Sequence, residues 1–464
     1  MAVKLLKESD LTEGQKAALD YMKAFIDGPN REMVLCGAAG TGKTSLVNVL
    51  LDQLDEHSFY KYVCTAPTNK AVEVISRNTG KDYDRTIVSL LGLTLRDYDD
   101  GEPVLVREPG SESKLGQYDL VIIDEASMVS RKLIGEIERD MLEHDRIKVI
   151  YIGDKCQIPP VDDTKTGMME SVVFTLPLIC ELTQVMRTAL DNPILAAVTK
   201  MRENMASERD LFEHVTKELD DGSGITFFND REQFMNKMYE TFDDPKYDEN
   251  TDYCVAVAYR NVSVDAINRV VRKHKYPDVN ADFVVGEEVR VKKPYRIRSS
   301  SKKDTMVPVY NLEERLKILD VEECNDPAYD LPCYKVEVVN YRAPKSSRDT
   351  RTLYVVKRDS ISLYTSLLNN TALECKEREQ KPGHNGMGHM YSRRDAWRPY
   401  NTLKNYYLWV DYIYAMTAHR AQGSTIDNVF VVDRDINLIA SNVERNKLKY
   451  TAFTRASKHL YVLE

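Results

Sequence analysis

The strongest constraint on this chain is eight residues long. Gly37-Ala38-Ala39-Gly40-Thr41-Gly42-Lys43-Thr44 follows the apolar run Glu32-Met33-Val34-Leu35-Cys36 and continues into the helix-like Ser45-Leu46-Val47-Asn48-Val49-Leu50. The spacing is GxxxxGK[ST], placed between a strand and a helix as a phosphate-binding loop requires. Its glycines let the backbone wrap closely enough to aim several N–H groups at phosphate oxygens. The N-terminus of the following helix adds a favourable dipole. Residues Gly37 through Ser45 are therefore candidates to hold a nucleotide. Lys43 is expected to reach the β- and γ-phosphates, and the Thr44 hydroxyl to bind Mg²⁺. A glycine turn with an exposed lysine is the plain alternative, and it does not account for the strand and helix on either side.

A loop of this kind needs a carboxylate at the end of a neighbouring strand. Leu120-Val121-Ile122-Ile123-Asp124-Glu125 supplies one. Asp124 is the expected partner of the metal, and Glu125, one residue on, is placed to polarise an attacking water. Short apolar runs recur at 60–66, 118–123 and 147–152, with helical-period stretches starting near Lys43 and Lys70 and lying between the last two runs. That is the rhythm of a parallel sheet covered by helices. Between Leu93 and Leu115 it breaks. Asp100-Gly101 reads as a turn between Leu93-Thr94-Leu95 and Val104-Leu105-Val106, which predicts a small protruding hairpin.

A second α/β pattern begins near Ile179, with strand candidates at 224–228, 253–259, 428–432 and 459–463. Roughly 165 residues separate the second of these from the third, far too many for one connection. From Asp282 the intervening segment reads as short strands, which suggests a small barrel, followed by a helix over 360–380. The Gly-rich stretch Lys381 to His389 comes next. His384 and His389 in it could pair on a metal, but a surface loop explains the composition better.

Composition limits the classes open to such a chain. Of 464 residues, 42% are hydrophobic and 30% charged, an ordinary globular balance. No apolar run reaches the length of a membrane span, and the first ten residues lack the apolar core of a signal peptide. The eight cysteines show neither CxxC nor zinc-ligand spacing, and several sit in strand-like runs, so free thiols in a reducing compartment are expected. The net charge of -9 excludes a protein that coats nucleic acid through global positive charge. A nucleic-acid partner would have to be held in a localised groove.

Further segments fall into an ordered series. Leu11-Thr12-Glu13-Gly14-Gln15 precedes the phosphate loop, and Ala66-Pro67-Thr68-Asn69 follows the second strand. Gly153-Asp154-Lys155-Cys156-Gln157-Ile158-Pro159 follows the strand after Asp124-Glu125. Then come Glu181 to Arg187, Ala415 to Thr425, and Tyr450 to Ala456. In this order the segments resemble the motifs of the superfamily 1 helicases, in the RecD-like branch. The nearest resemblance in that branch is to a phage-encoded enzyme, and it covers almost the whole chain. The short span from Lys43 to Asp124 leaves room for a hairpin but not for a large first-lobe insertion, which favours this branch over the UvrD-like one.

The resemblance implies an α/β fold of two RecA-like parallel-sheet lobes. A pin-like hairpin interrupts the first, and an SH3-like barrel with a helical segment interrupts the second. The expected boundaries are 1–92, 93–115 (pin) and 116–175 for the first lobe, then 176–275, 276–400 (insertion) and 401–464 for the second. It further implies that Gln15 reads the adenine, that Arg187 and Arg455 are the second-lobe cations, and that Gln157 senses the γ-phosphate. Gln422 and Gly423 would couple the second lobe to the nucleotide. Pro67, Thr68, Asn69 and Thr86 would contact the DNA strand from the first lobe, and Thr417 and His419 from the second. Short hydroxyl and amide side chains suit backbone phosphates, which position a strand without reading its sequence. A helix-cap or turn role is the plain alternative for each of these residues. The segment Thr86-Ile87-Val88-Ser89 departs from the family pattern, with Val88 where related chains often carry histidine.

The expected activity is ATP-dependent unwinding of duplex DNA by a motor on single-stranded or forked DNA, moving 5′ to 3′ by resemblance. ATP and Mg²⁺ are the implied cofactors. A monomer in the host cytoplasm, away from membranes, is expected, with replication or single-strand-binding proteins as partners. Two other readings stay open on the residues alone: a translocase that strips proteins without unwinding, and a nucleotide-switched binding module. RNA as the track is a third. Two basic, aromatic-bearing runs, 291–303 and 391–398, are either phosphate contacts or solvated loops.

Overall fold

A computed structural model describes residues 8–56, 60–80, 83, 85–96, 104–107, 111–160, 163–164, 166–184, 192–207, 215–298, 306–343, 348–380 and 393–464. It divides into two compact units, Met1–Lys275 with Tyr414–Glu464, and Tyr276–Ile413.

The first unit opens with a capped helix, Glu13–Asp27, in which Thr12 and Gln15 form a reciprocal capping box. The strands that follow are β1 (Glu32–Gly37), β2 (Tyr62–Thr65), β3 (Leu93–Arg96), β4 (Val104–Arg107), β5 (Leu120–Ile123), β6 (Lys148–Gly153) and β7 (Ile179–Leu182). Five of them form a sheet in the order β2-β5-β6-β1-β7, and every pairing is parallel. Successive residues of a strand point to opposite faces, so a strand buried on both sides must be apolar throughout. Met33, Leu35, Leu120, Ile122, Ile150 and Ile152 enter one core with Leu19, Met22, Leu46 and Leu50. Val34, Cys36, Val121, Ile123, Val149 and Tyr151 enter the other with Ile87, Leu90, Ile137 and Met141. This alternation explains why the sequence shows unbroken apolar runs here.

One sequence expectation needs amending in this region, and one is met. The segment from Ile179 pairs with β1, in the register Val34↔Ile179 to Gly37↔Leu182, so it closes the first sheet and does not open the second lobe at 176. Its period is that of any buried-edge strand, and only the pairing assigns it. The hairpin exists as β3 against β4, from Leu93↔Arg107 to Arg96↔Val104. Its expected tip, with Tyr98 and the Asp100-Gly101 turn, lies outside the described residues.

The chain then enters a second sheet with β8 (Lys217–Glu218), β9 (Gly224–Phe228) and β10 (Cys254–Ala258), and leaves it after the helix Asn261–Lys275. The second unit follows. Its strands are β11 (Glu288–Val291), β12 (Tyr295–Arg298), β13 (Met306–Tyr310), β14 (Arg315–Asn325), β15 (Pro332–Val339), β16 (Thr350–Val356) and β17 (Val410–Tyr412). They make an antiparallel sheet in the order β16-β15-β14-β11-β17 and a separate ribbon, β12-β13. The β14–β15 turn is organised by the buried Asp326 carboxylate, which accepts from the backbone of Ala328, Tyr329 and Leu331 and from the Tyr407 hydroxyl. The helix expected after the strands runs Ile361–Gln380. The unit ends at Ile413 and not at 400, because β17 pairs with β11, Val291 opposite Val410. The histidine pair and the first residues of the run 391–398 lie outside the described residues, as does the end of the run 291–303.

The chain returns with β18 (Ala415–Thr417), β19 (Ile426–Val432) and β20 (Ala456–Leu463), completing the sheet β18-β10-β19-β20-β9-β8. All its pairings are parallel except β8–β9. Val255, Val257, Val429, Val431, Leu460 and Val462 share one core. On the other face Phe430 and Tyr461 stack with centroids 4.4 Å apart, and Phe234 meets Phe430 edge-on. The eight cysteines are all free thiols, six of them buried. No described helix is long and apolar enough to cross a membrane.

Candidate nucleotide site and nucleic-acid interface

In an open parallel sheet, ligands collect outside the carboxyl ends of the strands. That edge of the first sheet carries Gly37 at the end of β1, Asp124 just after β5 and Asp154 just after β6. The loop from Ala38 to Gly42 is shaped by backbone that only glycine adopts without strain: Gly40 and Gly42 have φ of 78° and 77°. A Cβ on Gly37 would lie 2.7 Å from Thr41 Oγ1, so the approach of the loop to its strand excludes a side chain there. Thr41 Oγ1 donates to the Ala38 carbonyl. Lys43 Nζ donates to the carbonyls of Gly37 and Ala38, at 2.7 and 2.9 Å, and so sits inside the loop. Thr44 and Ser45 begin the helix Lys43–Glu56. Gln15 donates from Nε2 to the Thr41 carbonyl at 3.1 Å while its Oε1 accepts from Thr12. The glutamine expected to read a base is thereby tied to the phosphate loop itself.

Thr44 and Asp124 line one small cavity. Burial, then the neighbouring Glu125 carboxylate, pushes the Asp124 carboxyl up to about 6; Lys43 pulls the other way. A desolvated carboxylate crowded by a second one, with a threonine lining the same cavity, is a hard-oxygen set that a divalent cation would relieve. The donor chemistry therefore fits Mg²⁺. Among the described residues, Glu125 is one of three non-glycine residues with positive φ, at 52°. Such backbone costs free energy and concentrates at functional sites.

Second-lobe residues reach this edge. Gly423, at φ 73°, lies so close to the first lobe that a Cβ would meet Ala71 Cβ at 3.2 Å and Glu125 Cγ at 3.7 Å. Gln422 is buried and donates from Nε2 to the Ile158 carbonyl at 3.0 Å. Arg455 is buried and donates to the carbonyls of Thr451 and Ser424 and to Thr454 Oγ1. Gly423 thus approaches the Glu125 side chain, and the next residue, Ser424, accepts from Arg455. Gln157 is also buried, and its Oε1 has no hydrogen-bond partner among the described residues. Arg187 lies outside the described residues.

The expected strand contacts are helix N-caps. Thr68 accepts from Ala71 N–H ahead of the helix Asn69–Thr79, Thr86 from Ser89 N–H, and Thr417 from Arg420 N–H. Pro67 and Thr86 are brought together because Ile87 N–H donates to the Ala66 carbonyl and Thr65 Oγ1 to the Arg85 carbonyl. His419 lies beyond Thr417, and burial holds its imidazole below the usual histidine range, so it is neutral at pH 7. Val88 packs on the first-lobe core, which explains an apolar residue at this departure from the family pattern.

Sequence reasoning missed a polar junction behind Gln157. Asp154 is fully buried and accepts from Arg202, from the Tyr450 hydroxyl and from Cys156 N–H. The signal was present in the quoted Gly153-Asp154 and Tyr450-Thr451 segments, but nothing in the sequence joins two positions almost 300 residues apart.

A two-lobed ATPase with its nucleotide edge facing a second parallel sheet is the class that this geometry defines. The profile described as AAA domain matches residues 10–228, and that of the UvrD-like helicase C-terminal domain matches 412–463. A solved Pif1 helicase structure, reported for DNA unwinding at forked double-stranded DNA, is similar in fold at 16% identity, covering 97% of this chain and 92% of that one, with a TM-score of 0.51. These matches are consistent with the superfamily 1 helicases of the RecD-like branch. The chain is homologous to the ATP-dependent DNA helicase dda of Enterobacteria phage T4, at 25% identity over 96% of this chain and 97% of that protein. The ATP-dependent DNA helicase Pif1 of Bdellovibrio bacteriovorus is 27% identical over 48% of this chain and 50% of its own.

Proposed function

We infer that this chain is an ATP-dependent DNA helicase that moves 5′ to 3′ on single-stranded DNA and opens the duplex ahead of it. The observation that carries the reading is the close approach of Gly423 of the second lobe to the first, where a Cβ would lie 3.2 Å from Ala71 and 3.7 Å from Glu125. A hydrolytic carboxylate at a lobe junction lets turnover change the angle between lobes. In the proposed mechanism, the 38–42 loop and Lys43 hold the phosphates, and Gln15 braces that loop through Thr41. Glu125 takes the proton of the attacking water. Arg455 and Arg187 neutralise the charge that develops on the γ-phosphoryl group. Thr44 and Asp124 would hold Mg²⁺, which would supply neutralisation of the phosphate charge.

Strand contact falls to Pro67, Thr68, Asn69 and Thr86 on one lobe and Thr417 and His419 on the other. A neutral His419 offers hydrogen bonds without a fixed charge, and the threonines sit at helix N-termini. Such contacts bind any sequence and release readily. The acidic balance of the chain suits a motor that must let go at each step. The β3–β4 hairpin is assigned to separating the strands, and the working unit to a monomer in the cytoplasm.

The deciding experiment is displacement of a labelled strand from duplexes with a 5′ or a 3′ tail, in DNA and in RNA, together with ATPase measured with and without single strand. Opening only 5′-tailed DNA, with stimulated ATPase, is the expected result. Stimulated ATPase without displacement would assign a translocase. Absence of stimulation would remove the motor reading altogether.

A further inference from the structure

The loop Asp154–Ile158 follows β6, a first-lobe strand, yet its Asp154, Cys156 and Ile158 side chains are packed into the second lobe, while Lys155 reaches Glu181 on the first sheet at 3.0 Å. Ile152 is packed in a first-sheet core, whereas Cys156 and Ile158 are packed with Val198, Met201, Tyr450 and Phe453 in the second-sheet core. The allegiance of the chain changes within four residues. Polar contacts agree. Asp154 has no exposed side-chain surface and accepts from Arg202, on the helix Pro193–Glu203, and from Tyr450, on the helix Asn442–Phe453. Ile158 N–H donates to Thr451 Oγ1 at 3.1 Å, and Lys447 Nζ donates to the Lys155 carbonyl. Arg202 also reaches Glu181 at 3.1 Å, a half-exposed contact back to β7 of the first sheet that is weaker than the buried Asp154 pair. Lys447, Tyr450 and Thr451 are spaced i, i+3, i+4 and so share one face of their helix. The same helix leads directly into Arg455.

Pulling the lobes apart at this point would leave a buried carboxylate without its cations and donors, which is strongly unfavourable. The junction therefore stays closed while the rest of the cleft changes its angle. We infer that Asp154, held by Arg202 and Tyr450 and backed by Thr451, is a positioning residue that fixes the Gln157 loop to the second lobe, so that Gln157 swings with that lobe relative to the phosphate loop. The hinge then lies between Gly153 and Asp154. Gly153 is packed tightly: a Cβ there would meet Phe174 at 3.1 Å and Ala126 at 3.2 Å. The inference deepens the proposed function, because it rests on Gln157 as the nucleotide-facing residue.

The test uses the full chain with Tyr450→Phe/Thr451→Val, which removes one donor to Asp154 and the acceptor for Ile158 while conserving volume. Amide hydrogen exchange at Cys156 and Ile158 should speed up by roughly tenfold or more, while β6 from Val149 to Ile152 keeps its protection. The KM for ATP should stay within about twofold while kcat of DNA-stimulated hydrolysis falls roughly tenfold, and fewer base pairs should open per ATP. Thr451→Ser, which restores the hydroxyl, should return exchange at Ile158 to the wild-type rate. If the double variant is too unstable to assay, Tyr450→Phe alone should show the same pattern at smaller amplitude. Unchanged exchange at both amides, or hydrolysis and unwinding falling in equal proportion, would overturn the inference. A wild-type chain with no DNA-stimulated ATPase would instead defeat the helicase reading, and the exchange result would still judge the anchor by itself.

Discussion

Replacing Asp124 by asparagine should stabilise the folded chain while destroying its activity. The carboxyl is held ionised at neutral pH against a pKa raised from 3.8 to about 6, first by burial and then by Glu125. That difference corresponds to at most ~3 kcal/mol of folded-state cost. Because the residue is only half-buried by surface, solvent screening trims the expected gain to about 1–2 kcal/mol. Asparagine keeps an oxygen for the Glu125 N–H, which donates to Asp124 Oδ1 at 2.8 Å. The sign follows from the raised pKa. The wild-type cost is full above about pH 6, shrinks as the carboxyl takes up its proton, and vanishes near 3.8. Asp124→Asn should therefore melt higher than wild type at pH 8, by roughly 1–3 °C, and the gap should close as pH falls toward 4. Melting is followed without metal or nucleotide. Adding Mg²⁺ and ADP should raise the wild-type midpoint and leave the variant nearly unmoved. A variant less stable at pH 8, or a gap independent of pH, would refute the electrostatic reading of this site.

Glu125→Gln should bind ATP normally but hydrolyse it at least ~100-fold more slowly, read by nucleotide titration beside steady-state turnover; near wild-type kcat would remove Glu125 from its assigned role. The same change relieves Asp124 of its second-largest perturbation, so a smaller rise in melting temperature should accompany it. Gly423→Ala combines a φ of 73° with a Cβ 3.2 Å from Ala71. It should cost about 1 kcal/mol or more and slow DNA-stimulated ATPase, measured alongside thermal unfolding; a silent substitution would show that the lobes do not meet there. Thr68→Val removes the cap of the helix Asn69–Thr79, expected to cost about 1 kcal/mol, and should weaken single-strand binding. The log–log salt slope of binding should stay within about one unit of wild type, because no charge is lost.

Much of the nucleotide site was legible in the sequence, because its chemistry is local. A strand, a glycine-rich turn and a helix N-terminus are consecutive, so Gly37 to Ser45 announce themselves, as Asp124 and Glu125 do at the end of an apolar run. The sheet rhythm was equally readable, since strands buried on both faces must be apolar throughout. The errors came where pairing decides. Ile179–Leu182 looks like any short strand, and only its register on β1 assigns it to the first sheet. Val410–Tyr412 joins the second unit through β11.

What the sequence by itself determined is that this chain binds a nucleotide phosphate in an α/β lobe, and that its acidic surface restricts any nucleic-acid partner to a local track. What tertiary structure alone decided is how the lobes are joined. The αL backbone of Glu125, the close approach of Gly423 to it, and the burial of Asp154 between Arg202 and Tyr450 bring together residues far apart in the chain. Spacing along a sequence carries no distance between such groups. Their energetics come from desolvation and from pairing across the junction, and both exist only once the two sheets have folded against each other.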